Sequence, residues 1–371
     1  MAKRKKVRYG VVGLGYFAQI AVLPAFAHAS KNSELAALVS SDPAKLAELG
    51  DKYNVELRGS YDDFDHMLAT GQLDAVFIVL PNNMHCEFTC RAAKAGVHVL
   101  CEKPMAVTED ECRQMISACD ENQVKLMIAY RLHFEAANLR SIEIAQSGEI
   151  GDLRFFSSDF SQQVQEGNIR LRRDLGGGTL YDLGVYCINA ARYLFRDEPT
   201  EVFAYSANNG EERFREVDEM TSAVLRFPGE RLATFTTSFG AGDISCYQIL
   251  GTKGHVRLDP AYDFDAKLKQ QVTVEGSSRQ KSFSKKDQLA AELLYFSDCV
   301  LKDKQPEPDG WEGLADVRVV RALYQSTDLG EPVKLEPFER RRRPSVEQEI
   351  DQPASWFKPD LLHAASPSGG S

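Results

Sequence analysis

The stretch "RYGVVGLGYFAQIAVLPAFAHAS" (Arg8–Ser30), which directly follows the basic run "MAKRKK", decides the fold of this chain. Its positive start, its apolar middle and the small residues around His28 fit a secretory signal peptide. The letters "GVVGLGYFA" fit equally well a strand, a Gly-x-Gly-x-x-Ala turn and the start of a helix, which is the corner that cradles phosphate in nucleotide-binding domains. Cleavage after Ala29 would delete that corner, so the two interpretations exclude each other.

The residues that follow favour the second interpretation. The apolar runs "VRYGVVG", "ELAALVS", "DAVFIVLP", "HVLCEKP" and "KLMIAYR" are typical of buried parallel strands, and the helical stretches "DPAKLAELGDKY", "MHCEFTCRAAKAG" and "TEDECRQMISACDENQ" alternate with them. This rhythm predicts an α/β fold with a doubly wound Rossmann domain over residues 1–131. Because the sheet would lose its centre without "VRYGVVG", we interpret Arg8–Ser30 as part of the folded protein.

The pattern changes after residue 131. Six strand candidates now follow one another, namely "LRFFSSDF", "EVFAYSA", "MTSAVLRF", "RLATFTTSF", "ISCYQILG" and "HVRLDP", with helical segments at Leu180–Phe195 and Gln288–Leu301. They predict an α+β domain over residues 132–335, built on a large, mostly antiparallel open sheet. Helices on one face would leave the other face for subunit contact, in a homodimer or homotetramer. Residues 336–371 are predicted to form an extended tail, for which clamping a neighbouring subunit is one role.

Composition excludes several classes of function. The 371 residues carry a formal net charge of −10, which argues against an extended nucleic-acid surface. We interpret the basic runs at residues 3–6 and 340–343 as solvated segments. No apolar run reaches the length of a membrane span. The 8 cysteines contain no Cys-x-x-Cys pair, so we expect no disulfide framework, no metal site and a cytoplasmic location.

The glycine corner predicts a dinucleotide site. Gly13 and Gly15 permit the tight turn and the close backbone approach that a pyrophosphate needs. The amides that begin the following helix, around Tyr16 and Phe17, would then face the anion.

The end of the second strand indicates which dinucleotide binds. A carboxylate in that position would grip the ribose 2′-hydroxyl of NAD, but the chain has Ser40 and Ser41 there, with Lys45 one turn into the next helix. Hydroxyls and an amine suit a 2′-phosphate, so the pattern favours NADP. Asp42 is predicted to cap the helix that starts at Pro43.

Polar residues gather where the reacting groups of such a site would lie. Lys103 ends the strand that closes with "CEKP", and Asn82 and His85 follow the preceding strand, at the edge where open α/β sheets bind ligands. Asp182 and Tyr186 lie one helical turn apart beside a triple glycine, as in a pocket wall. The alternatives are an exposed lysine, a helix cap, a partly buried histidine and ordinary helix surface.

Several stretches together resemble the GFO/IDH/MocA oxidoreductases, and within them the glucose-fructose oxidoreductase branch. The matching stretches are "RYGVVGLGYFAQ", "LVSSDPAK", "LPNNMHCEF", "HVLCEKPMAV", "LMIAYRLHF", "IRLRRDLGGGTLYDLGVYCINAARYL" and "EERFREVDEM". The resemblance implies that Lys103 contacts the nicotinamide ribose and the substrate, that Tyr186 handles the proton and that Asp182 is its acidic partner. It also implies a cis Lys103–Pro104 bond.

The resemblance extends the predicted site to further positions. Cofactor-lining residues would be Gly13, Leu14, Gly15, Tyr16, Phe17, Ser40, Ser41, Lys45, Tyr61, Leu80, Pro81, Asn82, His85, Glu102, Lys103, Arg131 and Arg170. Substrate contacts would come from Lys103, Arg131, Arg172, Asp182 and Tyr186.

The implied function is an NADP-dependent sugar oxidoreductase that oxidises an aldose to a lactone, with or without reduction of a second sugar by retained NADP(H). The alternatives are an NAD(P)-dependent glycosidase of the same superfamily and a non-catalytic NADP(H)-sensing binding protein. Two departures bear on cofactor retention. This chain starts almost at its first strand, whereas that branch has a long leading arm around its cofactor, and Ile169 stands where that branch has a tryptophan.

Overall fold

The first half of the molecule is built on a six-stranded parallel sheet, in a computed structural model that describes residues 6–340, 342–354 and 359–369. The strands are β1 (Val7–Val12), β2 (Ser33–Val39), β3 (Leu57–Gly59), β4 (Ala75–Ile78), β5 (His98–Glu102) and β6 (Leu126–Ala129). Their order is β3-β2-β1-β4-β5-β6, the doubly wound order that the sequence predicts. Because β1 lies in the middle of the sheet, Arg8–Ser30 is integral to the fold.

Helices cover both faces of this sheet. They are α1 (Leu23–His28), α2 (Pro43–Tyr53), α3 (Phe64–Ala69), α4 (His85–Lys94) and α5 (Glu109–Glu121), and a π-helical stretch at Ala18–Val22 precedes α1. Two predicted caps are confirmed: the Asp42 carboxylate accepts the first amides of α2, and Thr108 with Glu111 forms a capping box on α5. The sequence analysis missed β3 and α3, which are too short to show a period.

The second half contains a nine-stranded sheet. Its strands are β7 (Leu153–Ser161), β8 (Glu201–Ala207), β9 (Met220–Phe227), β10 (Arg231–Ser238), β11 (Ile244–Gly251), β12 (Gly254–Leu258), β13 (Leu268–Val274), β14 (Ser277–Phe283) and β15 (Val333–Lys334). The order is β14-β13-β12-β11-β7-β10-β9-β8-β15, and β7 pairs with β10 in parallel while the other pairs are antiparallel. The predicted mostly antiparallel sheet is therefore confirmed.

Four helices belong to this half of the chain: α6 (Ala136–Ser147), α7 (Val185–Phe195), α8 (Gln288–Leu301) and α9 (Gly310–Leu329). The last two return to the first sheet, since Leu293 of α8 shares a core with β1, and Leu314 of α9 shares a core with β4 and β5. α9 also packs on the second sheet, since its Leu323 shares a core with Val202 of β8, and it thereby joins the two sheets. None of the helices in the described ranges is both long and apolar enough to cross a membrane.

The face of the second sheet that turns away from its helices is exposed and partly apolar. Phe155 of β7 and Leu232 of β10 are paired neighbours and are 43% and 44% exposed, and Val224 of β9 is 39% exposed. The intervening residues, such as Phe156 and Ala233, are fully buried. The open face that the strand alternation predicts is present.

The prediction of a solvated basic run at residues 340–343 is wrong for two of its arginines. The side chains of Arg340 and Arg343 are only 6% and 4% exposed. They form ion pairs with Glu312 and Glu198, two acids that are themselves buried beside Arg192. Buried carboxylates need cationic partners, and the tail supplies them. Three of the four residues in the run at 3–6 lie outside the described residues.

Candidate active site

The glycine corner after β1 leaves room for a ligand. Gly13 has a φ of +97°, and a Cβ there would lie 2.4 Å from the carbonyl oxygen of Val79, so the turn requires glycine. At Gly15 a Cβ would meet no protein atom within 4 Å. The neighbouring backbone therefore faces open space, which fits the close approach of a pyrophosphate. Tyr16 and Phe17 are half-buried at the start of the helical run, and Leu14 is buried beneath it.

The residues at the end of β2 fit a 2′-phosphate. Ser40 is buried and its hydroxyl accepts a hydrogen bond from the Asp42 amide, while Ser41 is exposed. Lys45 is half-buried in the first turn of α2, and the half-buried Tyr61 lies across from Ser41. Asp42, the carboxylate in this region, is already occupied by the amides of α2 and by His363. The donors present therefore suit a phosphate better than a ribose hydroxyl.

The turn after β4 forms another part of the cleft. Leu80 is buried, Pro81 and Asn82 are half-buried, and the Asn82 side chain donates a 2.8 Å hydrogen bond to the carbonyl oxygen of Gly176. His85 is placed differently from the prediction that its side chain lines the cofactor. It is fully buried, and its ring nitrogens lie 3.0 and 2.9 Å from the carbonyl oxygens of Pro104 and Leu80. Its side chain thus ties two loops together behind the cleft.

Lys103, Asp182 and Tyr186 come together at the carboxyl edge of the first sheet. The Lys103 amine donates a 2.9 Å hydrogen bond to the carbonyl oxygen of Asp182 and lies 3.6 Å from its carboxylate. The same amine lies 4.4 Å from the centre of the Tyr186 ring. The Lys103–Pro104 bond is cis, as the resemblance implies.

Asp182 is held as a carboxylate by its neighbours. Its Oδ2 accepts hydrogen bonds of 2.7 Å from Arg170 and 3.1 Å from Gln162. Burial works to raise the pKa of Asp182, but the positive charges of Arg170 and Lys103 outweigh it and lower that pKa. The sequence analysis did not identify Gln162, because a glutamine in a loop after β7 carries no spacing signal.

Arg131 connects the tyrosine to the protein interior. Its guanidinium is buried and donates hydrogen bonds to Gln288 (2.5 Å), to the hydroxyl of Tyr186 (3.1 Å) and to the carbonyl oxygen of Tyr262. The Tyr186 ring packs against Phe160 and Tyr262. The phenol oxygen therefore accepts from a fixed cation and stays available to a ligand.

Two buried carboxyl groups lie beneath this cluster. Burial raises the pKa of Glu102 to about 7, although Lys103 and Arg131 oppose the shift. Burial and the nearby Glu102 raise the pKa of Glu292 well above its ordinary value, and neither of its carboxylate oxygens has a hydrogen-bond partner among the described residues. The raised pKa values reduce the negative charge that these two acids place beside Lys103 and Arg131.

Arg172, predicted as a substrate contact, lies apart from this cluster. It is half exposed and forms ion pairs with Asp174 and Glu216. The adjacent triple glycine serves packing, because a Cβ at Gly177 would lie 2.4 Å from the carbonyl oxygen of Arg170.

Family models match both halves of the chain. The model described as "Oxidoreductase family, NAD-binding Rossmann fold" matches residues 7–130, and the model of the GFO/IDH/MocA C-terminal domain matches residues 139–257. The chain belongs to the GFO/IDH/MocA family. The resemblance inferred from its motifs is thereby confirmed.

Other GFO/IDH/MocA proteins resemble this chain over most of its length. The D-xylose 1-dehydrogenase [NADP(+)] of Haloarcula marismortui is 34% identical over 89% of this chain and 93% of its own. The crystal structure of aldose-aldose oxidoreductase from Caulobacter crescentus has a TM-score of 0.85 and 37% identity, covering 89% of this chain and all of that one. KijD10, a 3-ketoreductase from Actinomadura kijaniata solved with NADP and TDP-benzene, has a TM-score of 0.79 and 26% identity, covering 86% and 98%.

Proposed function

We propose that this protein is an NADP-dependent oxidoreductase that oxidises a carbinol of an aldose or a related cyclic polyol, which in an aldose is the anomeric carbinol. Its relatives named as acting on D-xylose and on aldoses support this substrate class. The cluster of Lys103, Tyr186 and Arg131 at the carboxyl edge of the sheet supports it independently. The product from an aldose is the lactone.

Oxidation of a carbinol separates a hydride from a proton. NADP⁺, when bound, supplies the hydride acceptor, and the protein has to receive the hydroxyl proton. Tyr186 is the group we assign to that task, because its oxygen accepts from Arg131 and its ring lies beside the Lys103 amine. These two fixed cations stabilise the negative charge that develops as the proton leaves.

Asp182 positions this machinery. Its backbone carbonyl accepts from the Lys103 amine, and its carboxylate is shared by Arg170 and Gln162. The amine is thereby held at the ring of Tyr186 and cannot swing into solvent. Other residues would hold the cofactor. Ser41 and Lys45 would hold the 2′-phosphate, and the corner at Gly15 would hold the pyrophosphate.

The single observation that carries the proposal is the contact of one phenol oxygen with one buried guanidinium beside the lysine of the "CEKP" strand end. The test is to incubate the purified protein with NADP⁺ and a panel of aldoses, following the absorbance of reduced nicotinamide and the formation of lactone. Reduction of NADP⁺ with stoichiometric lactone supports the proposal. Aglycone release from a nitrophenyl glycoside with no net reduction of the nucleotide would favour a glycosidase instead.

The exposed sheet face supports a homo-oligomer. Phe155, Val224 and Leu232 form an exposed apolar patch on a sheet surface that no helix of the described residues covers. A second copy that covers this patch would remove it from water. Light scattering of Leu232→Glu tests this, because the variant should become a smaller species. The control Leu329→Glu, at an exposed position near the end of α9, should not.

The 8 cysteines are unpaired in the structure, which suits the cytoplasmic location we propose.

A further inference from the structure

The C-terminal segment at residues 359–369 lies along the cleft that the proposed function assigns to NADP(H). Upstream, the tail is fixed by the buried ion pairs of Arg340 and Arg343 and by a hydrogen bond from the Asp287 amide to the carbonyl oxygen of Gln352. Its own ends are fixed as well, since Pro359 and Pro367 are buried. An irregular segment that is anchored at both ends is held in one place.

The segment first contacts the glycine corner. The Gln19 side chain donates to the carbonyl oxygen of Leu362 at 2.9 Å and accepts from the Leu362 amide at 2.8 Å. The same side chain donates to the carbonyl oxygen of Leu14, and the Gln19 amide donates to the carbonyl oxygen of Gly15. A single side chain, that of Gln19, therefore connects the segment to the backbone that faces the proposed pyrophosphate position.

The next residue reaches the 2′-phosphate end of the same wall. His363 Nδ1 lies 2.8 Å from Oδ2 of Asp42, the residue between Ser41 and the helix that carries Lys45. The His363 side chain is 60% exposed, and its Nε2 has no hydrogen-bond partner within the described part of the chain. When both ring nitrogens carry hydrogen, Nδ1–H donates to Asp42 and Nε2–H is left as a donor for a neighbouring phosphate.

The segment then crosses to the other domain. The Gln165 amide donates a 2.8 Å hydrogen bond to the carbonyl oxygen of Pro367, and the Gln165 side chain contacts the carbonyl oxygen of Ser368. Gln165 lies in the loop between β7 and Arg170. Arg170 in turn donates a hydrogen bond to the carboxylate of Asp182. Four residue steps separate His363 from Pro367, a reach of at most about 14 Å. The two walls of the cleft are therefore bridged by a short piece of chain.

We propose that residues 359–369 form a strap that closes over bound NADP(H) and slows its release, with His363 contributing to the 2′-phosphate site. This rests on the proposed function, because the strap needs a dinucleotide beneath it. For the nucleotide to leave, the contacts at Gln19, Asp42 and Gln165 have to open. The strap thus slows the release of nucleotide without touching the reacting groups.

The test compares the full chain with a chain that ends at residue 358. Each protein is passed through a sizing column and denatured, and the released nucleotide is counted per chain. The release rate of NADPH is then measured by its fluorescence after mixing with excess NADP⁺. The full chain should keep its nucleotide, and the shortened chain should lose it with a release rate at least about tenfold higher. Circular dichroism reports whether the shortened chain is folded.

Two point variants keep the proposal testable if the shortened chain does not fold. Gln19→Leu preserves buried volume and removes both hydrogen bonds to Leu362, and His363→Ala removes the contact with Asp42. Both should release NADPH faster, while the control His66→Ala, an exposed histidine of α3, should not.

The outcomes separate the strap from the proposed function. Equal release rates in all proteins would overturn the strap and leave the proposed function standing. Tighter binding by the shortened chain would also overturn it, because the segment would then obstruct the cleft. Failure of every protein, the full chain included, to bind NADP(H) would overturn the proposed function itself.

Discussion

The buried guanidinium of Arg131 donates a 3.1 Å hydrogen bond to the hydroxyl oxygen of Tyr186. Arg131 has no freedom to leave, since it also donates to Gln288 and to the carbonyl oxygen of Tyr262. The phenol oxygen is therefore placed next to a permanent positive charge. This relationship turns a tyrosine on a helix face into a group able to exchange a proton with a substrate hydroxyl.

Replacing Tyr186 by phenylalanine should remove the proton acceptor and leave the cleft intact. We expect kcat for aldose oxidation to fall by about 10²–10⁴-fold, the usual contribution of general acid–base catalysis. The affinity for NADPH, measured by fluorescence titration, should not change. Tyr205→Phe, on the exposed sheet face, serves as the matched control. A Tyr186→Phe enzyme with normal kcat would remove this residue from the mechanism.

Lys103→Met keeps the length of the side chain and removes its charge. Because the amine lies 4.4 Å from the centre of the Tyr186 ring, its loss should lower kcat/KM by about 10²–10³-fold, as when one donor to a developing oxyanion is lost. Steady-state kinetics with a saturating and a limiting aldose concentration give both parameters. Lys94→Met, at an exposed position of α4, should behave as wild type. Equal kinetics for the two variants would contradict the role assigned to Lys103.

Lys45→Met tests the assignment of the 2′-phosphate site. The loss of one charge-assisted hydrogen bond of about 1.5–3 kcal/mol should weaken NADP⁺ binding by roughly 10- to 150-fold. Binding of NAD⁺, which lacks that phosphate, should be unaffected, and Lys52→Met at the far end of α2 should change neither. Calorimetric titration with both nucleotides measures the difference. If both nucleotides lost affinity equally, Lys45 would not be a 2′-phosphate ligand.

Glu102→Gln should change how stability depends on pH. Burial raises the pKa of Glu102 from 4.5 to about 7 in the folded state. The wild type therefore loses unfolding free energy as pH rises through this interval, by about 1.4 kcal/mol per pKa unit, and glutamine does not. Relative to wild type, Glu102→Gln should gain in Tm between pH 5 and pH 8, whereas the exposed control Glu56→Gln should not. If the difference in Tm between Glu102→Gln and wild type stayed constant from pH 5 to pH 8, the pKa of Glu102 would not be raised as described.

Parts of the fold were predictable to the residue. Strands β8, β9 and β11 match their predicted bounds, and along β9 buried and exposed residues alternate cleanly. β14 was missed because six of its seven residues are exposed, so an edge strand of this kind carries no apolar period. The sequence analysis also missed α6, α9 and β13, and it missed the two-residue β15.

The site residues also divide into those that the sequence predicts and those that only the tertiary fold brings together. Lys103, Asp182 and Tyr186 were predictable because strand ends and helical spacing place them, and the structure brings them together. Gln162 and Gln288 were not, since isolated glutamines become meaningful only when the tertiary fold brings them to Asp182 and Arg131. The tail was the largest surprise. From the sequence its arginines were predicted to be solvated, because the buried partners Glu198, which follows α7, and Glu312 of α9 become apparent only in the structure.

The most direct test of the account is the transfer of isotope from an aldose deuterated at the anomeric carbon. After incubation with NADP⁺ and this sugar, the nucleotide is extracted and examined by mass spectrometry and proton NMR. The account predicts deuterium at C4 of the reduced nicotinamide and an equal amount of unlabelled lactone. Lactone without deuterium on the nucleotide, or no reaction with any aldose while NADP⁺ is demonstrably bound, would contradict it.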